Sequence, residues 1–490
     1  MHFQVSVETG TGHGHRCAVL ARVLADLGHK IEVLSDEDTL RWSEVYFPPG
    51  TSAVQASPLD SAFGDVLRRN PYDTLVLDRY DIALEREKRI AELVGSLVVI
   101  DDFVGRQHHC HQLIDPNLSR TPSDWRGALA PKCLALAGSA YALLRSEFLA
   151  ARANRPNIEE RGDDRVFICF GGADPYGLTY GALKAFDAPL ADGVNFDIVV
   201  GQHTRNLDEL VELAAGLDGV TLYRGCDQMA ALMGRAAVAV GAPGVMTLER
   251  ACLGIPSLLV SFADNQIAIG QAAASTGIAV YLGDWREATS EELARQLSEL
   301  LSSPPARREM SRNGVRHVDG RGAIRVAAAL CPARDRSGEP IFVRSMTLDD
   351  METVFIWQNS ECMRRHSLNP NPISWDEHRD WCGRRLKERS MDTYIAHDED
   401  QNSVGFIHLA PHTDDAWLVS LLVAPECQGR GVGQAMLDQV TRIYGTDRLC
   451  AVISAENEPS LKIFERCGFV DEGEMFVRAP SSSGSHSSPL

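Results

Sequence analysis

Short apolar runs separated by helical patterns constrain this chain more than any other feature. FQVSV (3–7), KIEVLS (30–35), TLVLD (74–78), LVVID (97–101) and CLALA (133–137) read as buried strands. Between the first two, Leu20, Val23, Leu24 and Leu27 recur at helical spacing, and Gly28 suits a helix C-terminus. Strands alternating with helices predict a parallel sheet covered on both faces. A polar break at 151–164 interrupts the pattern. It restarts with VFICF (166–170), FDIVV (196–200), VTLY (220–223), AVAV (237–240) and SLLV (257–260). Twin α/β halves of this kind place a ligand in the cleft between them, at the carboxyl ends of the strands.

The segment CPARDRSGEP (331–340) reads as a linker, and the pattern changes after it. Residues 341–359 read as strand then helix. TYIAH, SVGFIHLA and AWLVSLLVA follow as closely spaced strands of an antiparallel meander. The end, PSSSGSHSSPL, is of low complexity and is expected to be disordered. At 490 residues the chain exceeds one hydrophobic core. The expected division is 1–155, 165–330, a linker at 331–340, 341–478 and a tail at 479–490.

Composition excludes several functions. A net charge of -19 argues against a general binder of nucleic acid or anionic membranes, which needs a basic face. A local loop in an acidic protein can still bind phosphate. No run reaches the ~18 apolar residues of a membrane span, and no basic region followed by a long apolar run marks a signal peptide. The 12 cysteines are scattered without a C-x-x-C pair, so reduced thiols in a cytoplasm are expected. QHHCHQ (107–112) lacks matching acids and reads as a solvated loop; no metal is expected.

The first run leads into ETGTGHGHRC (8–17) and then a helix. Glycines there permit a sharp turn and a close approach to a ligand, and the N–H groups of the following helix start favour an anion. His13 sits at that turn as a candidate base. An incidental exposed turn is the competing reading. The motif is not G-x-G-x-x-G, and no acidic residue ends the second strand, so a nicotinamide cofactor is not favoured.

GTGHGHRC, LVLDRYD (75–81), VVIDDF (98–103), DPN (115–117), YALLRSEF (141–148), FGGADP (170–175) and LERACLGIPSLLVSFADNQ (248–266) together resemble the UDP-sugar hydrolases of pseudaminic acid biosynthesis. Those enzymes release UDP from UDP-2,4-diacetamido-2,4,6-trideoxy-β-L-altropyranose and are related to the MurG glycosyltransferases. The resemblance spans about 1–330 and implies two Rossmann-like halves in a glycosyltransferase-B fold. It implies His13 as the residue that activates water for attack at C1. Glu249 would hold ribose hydroxyls, Asn265 and Gln266 would lie near the substrate, and Tyr80 would match the D-x-Y tyrosine. Gly12, Arg16 and Gly244 complete the implied substrate-binding set. The turn before Glu249 departs from the family: GAPGVMTLE (241–249) has Pro243 and Met246 where a glycine and a hydroxyl residue are usual, and proline offers no N–H. Arg79 replaces the usual histidine between Asp78 and Tyr80.

A second motif lies in LLVAPECQGRGVGQAMLDQV (421–440), an apolar strand, a turn and a helix. Gln428, Gly431 and Gly433 fit Q/R-x-x-G-x-G/A, a turn whose amides suit a pyrophosphate. Downstream, NEPSLKIFERCGF (457–469) places Asn457, Ser460 and Phe464 on one helix face. The pair of motifs resembles the GNAT N-acetyltransferases, which have an α+β fold and bind acetyl-CoA. Residues 354–382 are similar to the N-acetyltransferase of the same pathway. The resemblance covers 341–478 and implies Val423, Gln428, Gly429, Arg430, Gly431, Gly433, Gln434 and Asn457 as the acetyl-CoA site. Phe464 stands where many such enzymes have a proton-donating tyrosine. Glu456 and His378 are candidate bases, with a water chain as the alternative. Trp357, Trp375 and Trp381 read as core or as stacking platforms.

The two resemblances imply one bifunctional enzyme. It would use acetyl-CoA to N-acetylate a UDP-linked 4-amino sugar, then hydrolyse the product. A glycosyltransferase, a non-catalytic binding module and a related route such as that to legionaminic acid remain alternatives, and the oligomeric state is not fixed by sequence.

Overall fold

A computed structural model describes residues 1–5, 12–57, 59, 63–154, 165–186, 193–201, 203–365, 367, 369–389, 392–413 and 416–481. In the first half, His2–Phe3 (β1), Thr74–Asp78 (β4), Ser96–Ile100 (β5), Gln112–Asp115 (β6) and Leu134–Ala137 (β7) form a parallel sheet in the order β1-β4-β5-β6-β7. Glu32–Ser35 (β2) and Ser52–Gln55 (β3) pair in parallel, and Leu34 N–H donates to Met1 O at 2.9 Å, which sets β2 beside β1. Valine, leucine and isoleucine fill β4 and β5 because both faces are covered. The chain therefore reverses its winding between β1 and β4. Loops after those two strands meet there, the usual place for a ligand in an open parallel sheet.

The second half repeats the design. Arg165–Cys169 (β8), Asn195–Val200 (β9), Val220–Arg224 (β10), Val238–Gly241 (β11), Ser257–Ser261 (β12) and Ala279–Asp284 (β13) are ordered β10-β9-β8-β11-β12-β13, all parallel. Its switch point lies between β8 and β11. Both halves are thus Rossmann-like. β3, β6 and β13 were not among the expected strands. β3 is largely exposed, and β6 buries polar Gln112 and Asp115, so neither carries a plain apolar run.

The third sheet is mixed: Ala333–Arg334 (β14), Pro340–Ser345 (β15), Thr393–His397 (β16), Ser403–Thr413 (β17), Ala416–Val423 (β18), Arg448–Ala451 (β19), and Phe476–Arg478 (β21) ahead of Val470–Asp471 (β20) at the edge. β17 follows β18 antiparallel to Val423, whereas β19 pairs with β18 in parallel only over Ala416–Leu418. The two central strands therefore part beyond Leu418. This opening lies next to the end of β18, which leads into the 428–433 turn.

Residues 331–340, read from sequence as a linker, carry β14, which pairs with β15. Asp335 organises the hairpin by accepting from Ser337 N (2.8 Å), Ser337 Oγ (2.6 Å) and Glu339 N (3.1 Å). The preceding helix, Gly322–Leu330, packs Ala323, Val326, Ala327 and Ala329 into the first half's core and Ala328 into the third sheet's core. Fully buried Arg325 spans the junction, donating to Ala140 O (3.1 Å), Asp319 Oδ1 (2.8 Å) and Tyr394 OH (2.9 Å). Residues 482–490 of the expected tail lie outside the described residues. Among the described residues no helix is long and apolar enough to cross a membrane, and all 12 cysteines are free thiols.

Candidate active sites

The switch point of the first half assembles a charged cluster. Residues 6–11 of the opening loop lie outside the described residues; the helix Gly12–Asp26 follows. Its first turn carries His13, and one turn on comes buried Arg16. Asp78, the last residue of β4, meets both. His13 Nδ1 lies 2.6 Å from Asp78 Oδ1, and Arg16 Nε donates to Asp78 Oδ2 at 2.6 Å, with Arg16 Nη2 also on Oδ1. Burial alone would raise the Asp78 carboxyl, but the Arg16 and His13 contacts outweigh it and hold the carboxyl down at about 2. Asp78 is therefore an anion throughout the neutral range, and its Oδ1 and Arg16 Nη2 (3.1 Å) both meet His13 at Nδ1, which orients the imidazole ring.

Just past β5, Asp102 extends the cluster. Arg16 Nη1 donates to its Oδ2 at 3.3 Å and Tyr80 OH to its Oδ1 at 2.7 Å. The Tyr80 ring stands edge-on to His13 at 4.9 Å, and burial, aided by Asp102, raises its pKa, so it is neutral. Neither Asp78 nor Asp102 was assigned a role from sequence. Their signal is a carboxylate ending an apolar run, in LVLD and VVIDD, but nothing local says that Asp78 reaches a histidine 65 residues away or that Asp102 reaches Arg16.

Across the cleft stands the second half. One cavity is lined by Arg16 and Asp102 on one side and by Gly244, Val245, Leu248 and Ile269 on the other. Gly244 precedes the helix Val245–Cys252 with φ +158, and its N–H donates to Thr247 Oγ1 at 3.1 Å. Glu249 on that helix is buried and lies 3.2 Å from Arg145 Nη2. Burial raises its pKa against the pull of that cation. Asn265 is exposed and Gln266 half-buried in the first turn of the helix Asp264–Ser275, where Gln266 Oε1 accepts from Phe262 N at 2.9 Å. Gly12 is exposed at the start of its helix. Arg79 turns to Asp81, with Nε 2.7 Å from its Oδ1.

The histidine run at 107–112 is not a solvated loop. His108 is 2% exposed, with Nδ1 2.9 Å from Glu87 Oε1 and Nε2 3.2 Å from Asp101 Oδ2. Burial alone would lower its pKa; the two carboxylates reverse that and raise it to about 9.

At the second motif, Gly429 (φ +80) and Gly431 (φ +94) occupy the left-handed region, which glycine adopts at least cost. Gly431 precedes the helix Val432–Ile443. A Cβ at Gly431 would come within 2.8 Å of Arg336, whose N–H donates to Arg430 O at 2.8 Å; the 331–340 hairpin thus buttresses the turn. Arg430 Nη2 reaches Asp335 Oδ2 at 3.3 Å. Gly433 is buried, and a Cβ there would lie 3.2 Å from Ile463 and Val423, so it lets the two helices and β18 close together. Gln428 is exposed and 3.6 Å from Cys362 Sγ; Gln434 lies in the first helical turn.

The remaining expected residues divide. Asn457 caps the helix Glu458–Arg466, its side chain accepting from Ser460 N at 3.3 Å. Phe464 is buried edge-on to Phe469, so the missing tyrosine is replaced by a core contact. His378 has both ring nitrogens engaged, by Gln358 Oε1 (3.1 Å) and Met351 O (2.9 Å), and burial lowers its pKa; it is a structural residue rather than a base. Glu456 is exposed. Trp357 is core, Trp375 is 39% exposed against Phe355, and Trp381 packs edge-on to His408 at 5.4 Å.

The architecture is therefore that of two Rossmann-like halves followed by a GNAT domain. Residues 341–470 match the acetyltransferase (GNAT) domain family. Over nearly its whole length the chain is similar to an uncharacterized protein of Methanocaldococcus jannaschii: 23% identity across 485 residues, 95% of each chain. The spore coat polysaccharide biosynthesis protein SpsG of Bacillus subtilis is 30% identical over 194 residues, 39% of this chain and 57% of that one. The UDP-2,4-diacetamido-2,4,6-trideoxy-beta-L-altropyranose hydrolase of Campylobacter jejuni is 27% identical over 230 residues, 46% of this chain and 78% of that one.

Proposed function

We propose that the chain is a bifunctional nucleotide-sugar enzyme of nonulosonic acid biosynthesis, acting on the pseudaminic acid precursor. The GNAT domain, 341–478, transfers acetyl from acetyl-CoA to the 4-amino group of a UDP-linked 4-amino-4,6-dideoxy sugar. Val423, the 428–434 turn and Asn457 hold the cofactor. The two Rossmann-like halves, 1–155 and 165–330, then release UDP and the 2,4-diacetamido-2,4,6-trideoxy sugar. In that step His13 Nε2 takes a proton from water, the water oxygen bonds to C1, and the C1–O bond to the β-phosphate breaks with its electron pair leaving on UDP. The proton on His13 returns to solvent. Glu249 takes ribose hydroxyls, and Gly12, Arg16, Tyr80, Gly244, Asn265 and Gln266 shape the site. Joining the steps in one chain raises the local concentration of the shared intermediate.

The observation that supports the hydrolytic reading is the His13–Asp78 contact at 2.6 Å, the arrangement that a carboxylate-oriented histidine base would have. The similarity to the Campylobacter hydrolase supports the substrate class. The test is product analysis with UDP-sugar alone, without an acceptor, for the wild type and His13→Ala. Free sugar and UDP are expected from the wild type. The variant should be slower by about 10²-fold or more, with UDP still bound and acetylation intact. Turnover only on adding a sugar acceptor would make the protein a glycosyltransferase; near-normal release by His13→Ala would remove His13 as the base.

A further inference from the structure

A nucleoside diphosphate brings concentrated negative charge, and the turn that would receive it offers the Val245 and Met246 amides but little from the two residues before them. Pro243 has no N–H, and the Gly244 N–H is already engaged by Thr247 Oγ1 at 3.1 Å. Directly behind this turn lies Arg250, on the helix Val245–Cys252 and 0% exposed. Its Nη2 donates to Ala242 O (2.9 Å) and Thr247 Oγ1 (3.2 Å), while Nε and Nη1 have no hydrogen-bond partner among the described residues. The strand end is shaped around it. A Cβ on Gly241 would stand 2.7 Å from Arg250 Nη1 and 2.2 Å from Cys169 O, so only glycine leaves room for the guanidinium. Gly241 and Cys169 pair at the carboxyl ends of β11 and β8, the switch point of the second half.

A buried cation with donors unspent is costly unless something negative answers it. Burial lowers the guanidinium pKa to about 10 against the pull of Cys169 and the neighbouring Glu249, so the group stays charged at neutral pH, and among the described residues no carboxylate hydrogen-bonds it. We infer that Arg250 is the cation of the leaving-group site, acting from behind the 241–244 turn to favour the diphosphate of a nucleotide bound in the cleft. It is a positioning residue: it holds the turn through Ala242 O and Thr247 and lends its charge through them. This inference rests on the nucleotide-sugar reading above.

The experiment is calorimetric titration of the full chain with UDP and, separately, with uridine. Arg250→Gln can still donate to Ala242 O but carries no charge; Arg250→Lys keeps the charge. UDP affinity should fall about tenfold or more in the first and stay within about threefold in the second, with uridine affinity unchanged in both. Cys169→Asp supplies a second route that leaves Arg250 in place. Its carboxylate would neutralise the guanidinium and accept from the free nitrogens, and it should erase the preference for UDP over uridine. Unchanged UDP binding in Arg250→Gln or Cys169→Asp overturns the role assigned to Arg250. A parallel loss of UDP and uridine affinity also overturns it, since that marks a purely structural part. A wild type with no preference for UDP over uridine refutes the nucleotide reading itself, and this inference with it.

Discussion

Asp78→Asn probes the centre of the hydrolytic site with almost no change in shape. Three nitrogens converge on the native carboxylate, His13 Nδ1, Arg16 Nε and Arg16 Nη2, and Cys17 Sγ adds a weaker contact to Oδ2 at 3.5 Å. A carboxamide has one acceptor oxygen and brings two donors of its own, so at least one of the three must face an N–H₂ group. Either the Arg16 guanidinium loses a partner while buried, or His13 adopts the other tautomer and its Nε2 ceases to be a base. The first consequence is a loss of stability. Lowering Asp78 from its ordinary 3.8 to about 2 corresponds to about 2 kcal/mol of favourable interaction with the anion. Because the folded value is depressed, that contribution is present above pH ~4 and is lost as pH falls towards 2. Removing one partner of a buried pair adds the uncompensated Arg16, for about 3–5 kcal/mol in all. The second consequence is kinetic. Neutralising the carboxylate behind a catalytic histidine slows Ser-His-Asp hydrolases by about 10⁴-fold, so a fall of roughly 10²–10⁴ in kcat for UDP release is expected here. UDP affinity should hold within about threefold. The assay is UDP release from the pre-acetylated UDP-sugar, at a temperature where circular dichroism shows the variant folded. If the pair acts as a unit, Asp78→Asn/His13→Ala should be no slower than His13→Ala alone. A folded Asp78→Asn that hydrolyses at near wild-type rate, or a double variant with fully additive losses, would refute the dyad.

Gly431→Asp/Gly433→Asp should abolish acetyl transfer while leaving hydrolysis of a pre-acetylated substrate, because an aspartate at φ +94 strains the turn and crowds Arg336 and its charge repels phosphate; mass spectrometry of both feeds checks it, and loss of hydrolysis in the folded variant would tie the GNAT domain to the hydrolytic site. Arg325→Met should cost about 3–5 kcal/mol, since it leaves buried Asp319 with Arg321 as its remaining partner and breaks the contacts to Ala140 and Tyr394; scanning calorimetry would read a lower transition, and an unchanged one would show the junction to be energetically idle. His108 has a raised folded pKa, so its stabilisation is full below pH ~6.5 and fades as pH climbs through about 9. Melting curves at pH 6, 7.5 and 9.5 should show this slope in the wild type and a flatter one in His108→Gln.

Local pattern carried much of the architecture. TLVLD and TYIAH became strands at their predicted bounds, because valine, leucine and isoleucine in short runs have few other ways to be buried on both faces. The glycines at 429 and 431 were legible because a chain turning into a helix through φ > 0 needs them. The place of His13 at the start of a helix was legible because a polar, glycine-rich stretch after an apolar run leaves the sheet at its carboxyl end. The partners of these residues were not. Asp78 and Asp102 end runs that look like any other strand, and they meet Arg16 and His13 only because β1 lies beside β4 in the sheet. Arg325, Arg250 and His108 belong to the residue types that composition assigns to the surface, and each is buried by elements far away in sequence. The segment at 331–340 reads as a linker because most of its polar residues are exposed; buried Asp335, which organises the hairpin and meets Arg430, is visible only in the fold. Sequence periodicity reports which face of an element is apolar. Which polar group lies opposite another depends on strand order and helix docking, and these are set by contacts that no local window contains.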